Sequence, residues 1–341
     1  MKPIGVGVVG LGLMGRVHIE SYAAANLAGE WCRLIAVSDR NSSRFDGRAR
    51  SGGNMQADVG GQLLFDPSVV ATSTDPHDVF ANSAVDLVSI CTPTDTHVDL
   101  AIRALRAGKH VLVEKPVSLD PNEIRRLAIV ARETKRLCMP AMCMRFWPGW
   151  SWLFDAVRDG RYGAIVSASF QRLGARPTWG EGFYSDPRRS GGALFDLHIH
   201  DVDFVRALFG EPNAVTATGS VDHVTTLYHF ADRPAHVTTE GGWDPSPDFA
   251  FRMRYIVKFE RASAAFDSRR DLPLEITPRT ASSPVDRIEG TGYDFEIRHV
   301  LKSVREGMSS TETTLNDAER VTHILIAERE SLEQRVERSV L

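Results

Sequence analysis

The chain is short of cysteine, of long apolar runs and of net charge, and each shortage argues against a class of proteins. Its four cysteines have neither disulfide nor zinc spacing, which favours a reduced, cytoplasmic setting (Cys32, Cys91, Cys138 and Cys143). Apolar runs are too short to span a membrane. A net charge of −4 gives no reason to expect nucleic acid or an acidic membrane as a partner.

What the chain does have is enough length for two domains. Its 341 residues, 43% hydrophobic and 25% charged, are typical of a globular protein and exceed one ordinary core. The pattern changes at Met144–Pro148. Before that point apolar strands alternate with helices, and after it β-branched segments indicate an antiparallel sheet with one helix inserted. We therefore predict an α/β protein with domains at residues 1–146 and 147–341.

A glycine-rich turn follows the first predicted strand, which runs from Pro3 to Val9. The sequence GLGLMG permits a tight turn, close approach of a pyrophosphate and close helix packing. A second strand ends in Asp39, where an acid can accept hydrogen bonds from a ribose diol. Together these features predict a dinucleotide site, and its candidate residues in this part are Gly10, Gly12, Leu13, Met14, Gly15, Asp39 and Arg40.

The choice of cofactor rests on neighbouring charges. Asp39 disfavours a 2′-phosphate, so NAD is the first choice. Arg40 could stack on adenine or bind that phosphate, which makes NADP the second choice. Alternatively, Arg40 and Arg44 are solvated loop arginines that do not bind the cofactor. The next segment, residues 41–76, is the least regular of the chain and is expected to be a long surface loop.

Two further predicted strands end in residues suited to a ligand. Thr92-Pro-Thr-Asp-Thr-His97 follows the strand Val85–Cys91, and Lys115-Pro116 follows the strand Lys109–Glu114. Ligands of open α/β sheets bind at the carboxyl ends of the strands. The further candidate cofactor-binding residues are Thr92, Pro93, Thr94, His97, Glu114, Lys115 and Arg145.

The stretch SGGALFDLHIHDVDFVRALFG at residues 190–210 predicts a helix of roughly five turns, opened by a glycine pair. Asp196, His200 and Asp203 are spaced to project from one side of it. One interpretation is a capped helix with a satisfied core histidine. The Asp-x-x-x-His spacing after two glycines favours a catalytic pair.

With these motifs in place, the chain resembles the Gfo/Idh/MocA oxidoreductases along nearly its whole length. The motifs that carry the resemblance are GLGLMG, CTPTDTH, GKHVLVEKP, MRFWP, SGGALFDLHIHDVDF and GYDFEIRHVLKSVREG, in this order. The resemblance implies an N-terminal Rossmann dinucleotide-binding domain and a C-terminal α+β domain with a large open, mainly antiparallel sheet. It also implies that Lys115, Asp196 and His200 form the catalytic set. His198 stands where the family frequently has glycine.

The predicted reaction is hydride transfer between NAD(P) and a secondary hydroxyl of a sugar, sugar derivative or inositol. His200 is the natural base near physiological pH, and Lys115 supplies a cation where negative charge develops. Asp196 would hold the imidazole or bind a neighbouring hydroxyl. The candidate substrate-binding residues are Lys115, Arg172, Trp179, Asp196, His200 and Tyr293, with Tyr184 the weakest; the arginine and the aromatic residues could equally be packing or surface groups.

The same residues allow three other interpretations. A metal site at His198, His200 and Asp201 is disfavoured, because residues two apart on a helix point about 200° away from each other. His198 is therefore expected to be structural. A second reading uses bound NAD to cleave a glycosidic bond by oxidation, elimination and re-reduction. A third is a non-catalytic, sugar- or cofactor-sensing regulator, against which the intact Lys115, Asp196 and His200 argue.

The expected partners are a small carbohydrate or polyol and further copies of the chain, with no nucleic acid, membrane or metal. A homodimer or homotetramer is expected because one face of the second-domain sheet would leave apolar positions uncovered, such as Val237, Ile256 and Val257.

Overall fold

The protein folds as two compact units. The computed structural model describes residues 2–49, 61–180, 182–232, 234, 236–278, 283, 284 and 289–340. The first unit comprises Met1–Cys143, Trp179–Phe183 and Gly292–Glu319, and the second comprises Met144–Thr178, Tyr184–Thr291 and Arg320–Leu341. Residues 292–319, which lie in the predicted second domain, are thus grouped with the first unit.

The strands and helices follow one another along the chain as follows. The strands are β1 Ile4–Val9, β2 Cys32–Ser38, β3 Ala71–Ser73, β4 Leu87–Ile90, β5 His110–Glu114, β6 Cys138–Ala141, β7 Ile165–Leu173, β8 Ala214–Ser220, β9 His223–His229, β10 His236–Gly242, β11 Arg252–Phe259, β12 Ala262–Asp267, β13 Leu274–Pro278, β14 Ser283–Pro284 and β15 Arg338–Ser339. The helices are α1 Leu13–Leu27, α2 Pro76–Ala81, α3 His97–Arg106, α4 Pro121–Thr134, α5 Ser151–Arg158, α6 Pro187–Ser190, α7 Ile199–Phe209, α8 Gly292–Glu306 and α9 Leu315–Gln334. Among the described helices, none is both long and apolar enough to cross a bilayer.

The first unit is built on a parallel sheet with the strand order β3-β2-β1-β4-β5-β6. Its central strands are continuous apolar runs, as strands covered on both faces must be, and Val6, Val8 and Leu87 are fully buried. The strand order reverses between β1 and β4. Ligands of such sheets bind in the crevice at this reversal, beyond the carboxyl ends of the strands. The predicted Rossmann fold is confirmed.

The segment 41–76 contains more regular structure than the sequence predicted. Its strand β3 pairs in parallel with β2 and forms the edge of the sheet. A short 3₁₀ turn spans Ser42–Asp46, and its N-cap Asn41 accepts the N–H of Ser43. Residues 50–60 lie outside the described part of the chain. The prediction of a long loop was therefore wrong at β3, because three residues of β-branched and small type are too few to show periodicity.

The second unit is built on a sheet with the strand order β14-β13-β12-β11-β7-β10-β9-β8-β15 in the described residues. The pairing of β7 with β10 is parallel and the other pairings are antiparallel, which confirms the mainly antiparallel sheet. On the inner face, the ring of Trp150 meets Phe204 edge to face at 4.9 Å and Tyr255 at 5.3 Å. This aromatic cluster packs α7, through Phe204, against the sheet.

The outer face of this sheet is less apolar than predicted. Val237 and Val257 are fully buried, whereas Ile256 is 62% exposed. Successive side chains of a strand point to opposite faces, so Ile256 and Val257 cannot share one face. Most of the outer face instead carries hydroxyl and charged side chains, among them Ser169, Thr238 and Lys258.

His223 of β9 lies between two carboxylates in the second unit. Nδ1 of His223 lies 2.5 Å from Asp244 Oδ1, and Nε2 lies 3.0 Å from Glu240 Oε1. Only an imidazolium can donate to both carboxylates. Burial opposes the charged form, but the hydrogen bonds to Asp244 and Glu240 raise the pKa of His223 above its ordinary value.

We expect His223→Gln to lower the melting temperature most at about pH 6 and least at about pH 9. Because the folded-state pKa is raised, the stabilisation is complete below the unfolded-state pKa of about 6.5 and is lost as pH rises through the folded-state value. Thermal unfolding of wild type and variant across this range measures the effect. The exposed His77, replaced by Gln, is the control; a deficit for His223→Gln that is constant with pH would contradict the ion pairing.

Candidate active site

Each of the three glycines in the turn after β1 lacks a side chain for a different reason. Gly10 has a φ of +92°, and a Cβ there would lie 2.6 Å from the carbonyl oxygen of Cys91. A Cβ on Gly15 would lie 1.9 Å from the carbonyl oxygen of Gly10. A Cβ on Gly12 would meet no atom of the described residues within 4 Å. The fold therefore requires Gly10 and Gly15, whereas Gly12 leaves space for a ligand to approach the backbone.

The amino-terminal end of α1 opens at the same turn. Gly12 is its N-cap and contributes no side-chain hydrogen bond, and its fully described first turn carries no acidic side chain. Leu13 and Met14 begin the helix and are half-buried. A helix end that relies on its own backbone N–H groups suits an anion such as a pyrophosphate.

Asp39, at the end of β2, fastens the glycine turn to the second strand. Its Oδ2 accepts the N–H of Leu11 at 2.7 Å and a guanidinium N–H of Arg44 at 2.8 Å. Its Oδ1 accepts the N–H of Asn41 at 2.8 Å. The Asp39 side chain is only 5% exposed, whereas Arg40 is exposed. Asp39 is therefore fixed at the carboxyl end of β2, and Arg44 is a partner that the sequence did not indicate.

His97 braces the turns that follow β4 and β5. Its Nε2 lies 2.7 Å from the carbonyl oxygen of Thr92, and its Nδ1 lies 2.9 Å from that of Pro116. Burial lowers the pKa of His97, and these two carbonyl contacts act against the shift. Thr92 and Pro93 are half-buried and Thr94 is buried. His97, predicted to bind the cofactor, thus lies between the two strand-end turns, with one ring nitrogen close to a carbonyl oxygen of each.

A buried chain of hydrogen bonds runs from α1 to Lys115. The Tyr22 hydroxyl lies 2.9 Å from Ser89 Oγ, which lies 3.0 Å from His18 Nδ1. His18 Nε2 lies 2.9 Å from Glu114 Oε1, and Glu114 Oε2 accepts the backbone N–H of Lys115 at 3.0 Å. Burial alone would raise the pKa of Glu114, but the hydrogen bond from His18 and the nearby cationic charge hold it below its ordinary value. An ionised Glu114 therefore anchors the backbone of Lys115.

In the second unit, a glycine pair opens the segment before α7. Gly191 and Gly192 have φ of +76° and +72°. A Cβ on Gly191 would lie 2.4 Å from Phe195 Cβ, and one on Gly192 would lie 2.7 Å from the carbonyl oxygen of Val221. The chain then forms a π-helical turn, Leu194–His198, and continues as α7. The glycines are required because both the backbone angles and the space exclude a side chain.

The π turn is a departure from the regular helix predicted over residues 190–210. A π turn holds more residues than an α turn, so side chains before and after it lose the spacing of a continuous α-helix. Asp196 lies in the π turn and is half-buried, and His200 lies in the first turn of α7 and is 8% exposed. Asp203 is 1% exposed and accepts from Arg145 at 2.9 and 2.6 Å. Asp203 therefore belongs to a buried ion pair.

A second buried arginine forms an ion pair with an acidic residue of α7 and so helps to fix this helix. Arg172 donates to both oxygens of Asp201, at 3.0 and 3.1 Å, and its guanidinium lies 5.4 Å over the ring of Trp150. Because residues alternate along β7, Arg172 points inward with Phe170 and is 2% exposed. The structure thus places Arg172, predicted on the substrate side, and Arg145, predicted at the cofactor, in ion pairs of the second unit. Losing one partner of such a pair typically costs about 3–5 kcal/mol.

His198, the last residue of the π turn, is buried in a polar cluster. Its Nε2 lies 3.2 Å from both Thr239 Oγ1 and Glu328 Oε2, and Glu328 Oε1 accepts the hydroxyl of Tyr228 at 2.7 Å. Burial and the charge of Glu328 raise the pKa of Tyr228 well above its ordinary value. A Cβ on Gly241 would lie 2.6 Å from His198 Nδ1, so this glycine of β10 makes room for the imidazole. These contacts fit the structural role expected of His198.

The aromatic candidates are divided between the units. Trp179 and Tyr293 are half-buried and belong to the first unit, where Tyr293 begins α8. In the same unit, Ser21 of α1 donates to Asp294 at 2.8 Å, which fixes the start of α8. Tyr184 belongs to the second unit and packs edge to face on Trp243 at 5.9 Å. Tyr184 therefore has a packing role.

The three predicted catalytic residues are likewise divided. Lys115 is half-buried at the end of β5 in the first unit, whereas Asp196 and His200 belong to the second. Each unit positions its own group: Glu114 and His97 fix the turn that carries Lys115, and the ion pairs and glycines described above fix the helix that carries Asp196 and His200.

Comparison with known proteins gives matches in both units. Residues 4–142 match the model described as oxidoreductase family, NAD-binding Rossmann fold, and residues 151–263 match the GFO/IDH/MocA C-terminal domain. The chain is similar to inositol 2-dehydrogenase from Rhizobium meliloti (strain 1021), with 34% identity over 63% of this chain and 58% of that protein. It is also similar to scyllo-inositol 2-dehydrogenase (NAD(+)) from Bacillus subtilis (strain 168), with 30% identity over 66% of this chain and 60% of that protein.

The matched region spans about three fifths of the length of these two curated relatives. Among solved structures, levoglucosan dehydrogenase in complex with NADH and levoglucosan superposes with a TM-score of 0.82 at 20% identity. That superposition covers 99% of this chain and 100% of the other. At this identity the likeness concerns the fold of the two units.

We expect alanine at positions 12 and 15 to separate cofactor binding from folding. Gly15→Ala forces a Cβ against the carbonyl of Gly10, and overpacking of this kind typically costs about 1–3 kcal/mol of stability. Gly12→Ala should change the melting temperature far less and weaken NAD binding by about tenfold or more, since it fills the space for the pyrophosphate. Thermal unfolding and calorimetric titration with NAD measure both. Wild-type NAD affinity in Gly12→Ala would contradict the assigned site.

Proposed function

Because the chain belongs to the Gfo/Idh/MocA oxidoreductase family, we propose that it transfers a hydride between a nicotinamide cofactor and a secondary hydroxyl of a sugar, sugar derivative or inositol. The observation that carries the proposal is the open space at Gly12, between the amino-terminal end of α1 and the buried Asp39. The backbone N–H groups of α1 would hold the pyrophosphate and Asp39 the ribose diol. NAD is the proposed cofactor and NADP the second choice.

The substrate class is proposed from the relatives. Two similar proteins are named as dehydrogenases of inositols, and a structural neighbour is named as a dehydrogenase of levoglucosan, a sugar derivative. All three substrates are rings with several secondary hydroxyl groups. Trp179 and Tyr293, half-buried aromatic residues with polar tips, are the proposed substrate-side contacts of this chain.

The proposed chemistry divides the work between cofactor and protein. When bound, the nicotinamide supplies the hydride acceptor or donor. His200 takes the hydroxyl proton as general base, and the ammonium of Lys115 stabilises the negative charge that develops on the oxygen. Asp196 orients the imidazole or binds a neighbouring hydroxyl. The pairs Arg172–Asp201 and Arg145–Asp203 support this role by fixing the helix that carries His200.

We also propose a homodimer or homotetramer in the cytoplasm. The exposed Ile256 on the outer face of the second-unit sheet supports self-association. Four buried cysteine thiols, none of them in a disulfide, support a reducing compartment.

We expect His200→Asn and Lys115→Ala each to lower kcat by roughly 10²–10⁴-fold, because each removes a group that acts on the reacting hydroxyl. The double variant should lose much less than the product of the two losses, since the residues act together. The affinity for NAD should survive His200→Asn. Absorbance of NADH, followed with NAD and a panel of inositols, sugars and sugar acids, measures kcat.

The matched control is His229→Asn, a half-exposed histidine of β9. Near-wild-type kcat in His200→Asn would contradict the assigned base. Release of a leaving group without net NADH would instead support glycosidic bond cleavage. Binding of cofactor and sugar without turnover would support a regulator.

The proposed assembly has its own test. Light scattering at micromolar concentration should give the mass of two or four chains, and Ile256→Glu should lower it by placing a charge on the outer sheet face. Ile129→Glu on α4, where the native residue is 42% exposed, is the control and should leave the mass unchanged. A wild-type monomer would contradict self-association.

A further inference from the structure

The carboxylate proposed to bind the ribose is already occupied by an arginine. Arg44 donates from Nη1 to Asp39 Oδ2 at 2.8 Å, and its own side chain is 28% exposed while that of Asp39 is 5% exposed. The pair is thus reachable from solvent on the arginine side only. Arg44 is the more exposed partner of the pair, whereas Asp39 is also held by the backbone N–H groups of Leu11 and Asn41.

Asp39 has too few remaining acceptor sites to bind both hydroxyls of a ribose diol while Arg44 is in place. An ionised carboxylate offers about four lone-pair sites. Leu11, Asn41 and Arg44 use three of them, which leaves about one. A ribose diol brings two O–H donors. Both hydroxyls can therefore bind Asp39 only if Arg44 withdraws.

The backbone around Arg44 restricts where it can go. It lies inside the 3₁₀ turn Ser42–Asp46, which is capped by Asn41 and ends at Gly47 with a φ of +70°. A Cβ on Gly47 would lie 2.0 Å from the carbonyl oxygen of Phe65, so the turn is packed against the chain that returns to β3. A guanidinium that leaves Asp39 stays attached to this packed turn, so we expect it to remain near that carboxylate.

We propose that Arg44 sets the preference between NAD and NADP. It leaves Asp39 when the ribose diol of NAD binds, and it pairs with the 2′-phosphate when NADP binds. A phosphate cannot approach Asp39 without a compensating cation, and Arg44 is the cation whose contact with that acid the structure shows. The inference rests on the proposed nicotinamide-dependent function and adds the residue that selects the cofactor.

The test is direct titration of the full-length protein with NAD and with NADP, followed by calorimetry. Arg44→Ala should weaken NADP binding by about ten- to a hundredfold, the range for loss of a hydrogen bond to a charged group. NAD should bind as tightly as before or more tightly, because the guanidinium of Arg44 no longer competes with the ribose hydroxyls for Asp39. Arg44→Lys, which keeps the charge without the planar fork, should retain part of the NADP affinity.

Arg48→Ala removes the same charge from the same stretch and is the matched control, whereas Arg40→Ala tests the rival arginine next to Asp39. Arg48 donates to the carbonyl oxygen of Gly61 and should leave both affinities unchanged. A selectivity change in Arg40→Ala but not in Arg44→Ala would overturn the inference, as would equal weakening of both cofactors in Arg44→Ala and Arg44→Lys. Failure of the wild-type protein to bind either nucleotide would overturn the proposed function itself, and the inference with it.

Discussion

The close approach of the first strand end to its neighbours is the constraint on which the cofactor half of the molecule depends. Gly10 lies so near the end of β4 that a Cβ there would be 2.6 Å from the carbonyl oxygen of Cys91, and a Cβ on Gly15 would be 1.9 Å from the carbonyl oxygen of Gly10. This contact aims the amino-terminal end of α1 at the crevice. It also places the N–H of Leu11 on Asp39, so one turn positions the groups proposed for the pyrophosphate and the ribose. The open space at Gly12 lies between the groups proposed for the pyrophosphate and those proposed for the ribose.

Buried charges hold the catalytic candidates in both units. In the first, Glu114 receives a hydrogen bond from His18 and fixes the backbone of Lys115. In the second, Asp201 and Asp203, which lie one and three residues after His200, each bind a buried arginine. Buried ion pairs are seldom a net source of stability, because desolvation offsets the attraction. We interpret these ion pairs as devices that fix orientation, on which the proposed hydride and proton transfer would depend.

The features that could be predicted from the sequence are those that depend on residues close together in the chain. Apolar runs and glycines identified the strands of the first unit, the turn at residues 10–15 and the glycine pair before α7, because these depend on neighbours in the chain. The sequence did not predict the hydrogen bond between His18 and Glu114, which are 96 residues apart, or the arginine on Asp39. The π turn was missed because periodicity assumes one helix type throughout. Val237 and Val257 were predicted to lie on the uncovered face of the sheet, but both are buried. Their apolar character does not say which face they occupy, because that depends on the alternation of side chains along each strand.

The central proposal is that Lys115, Asp196 and His200 act on one hydroxyl of a ring polyol beside the nicotinamide. The most direct measurement is a crystal structure of the protein with NADH and a ring polyol that it oxidises. The account predicts one ring hydroxyl within about 2.6–3.2 Å of both the His200 imidazole and Lys115 Nζ, with its carbon facing the nicotinamide. A polyol bound with no hydroxyl near His200, or with Lys115 turned away from the oxygen that loses its hydrogen, would contradict it.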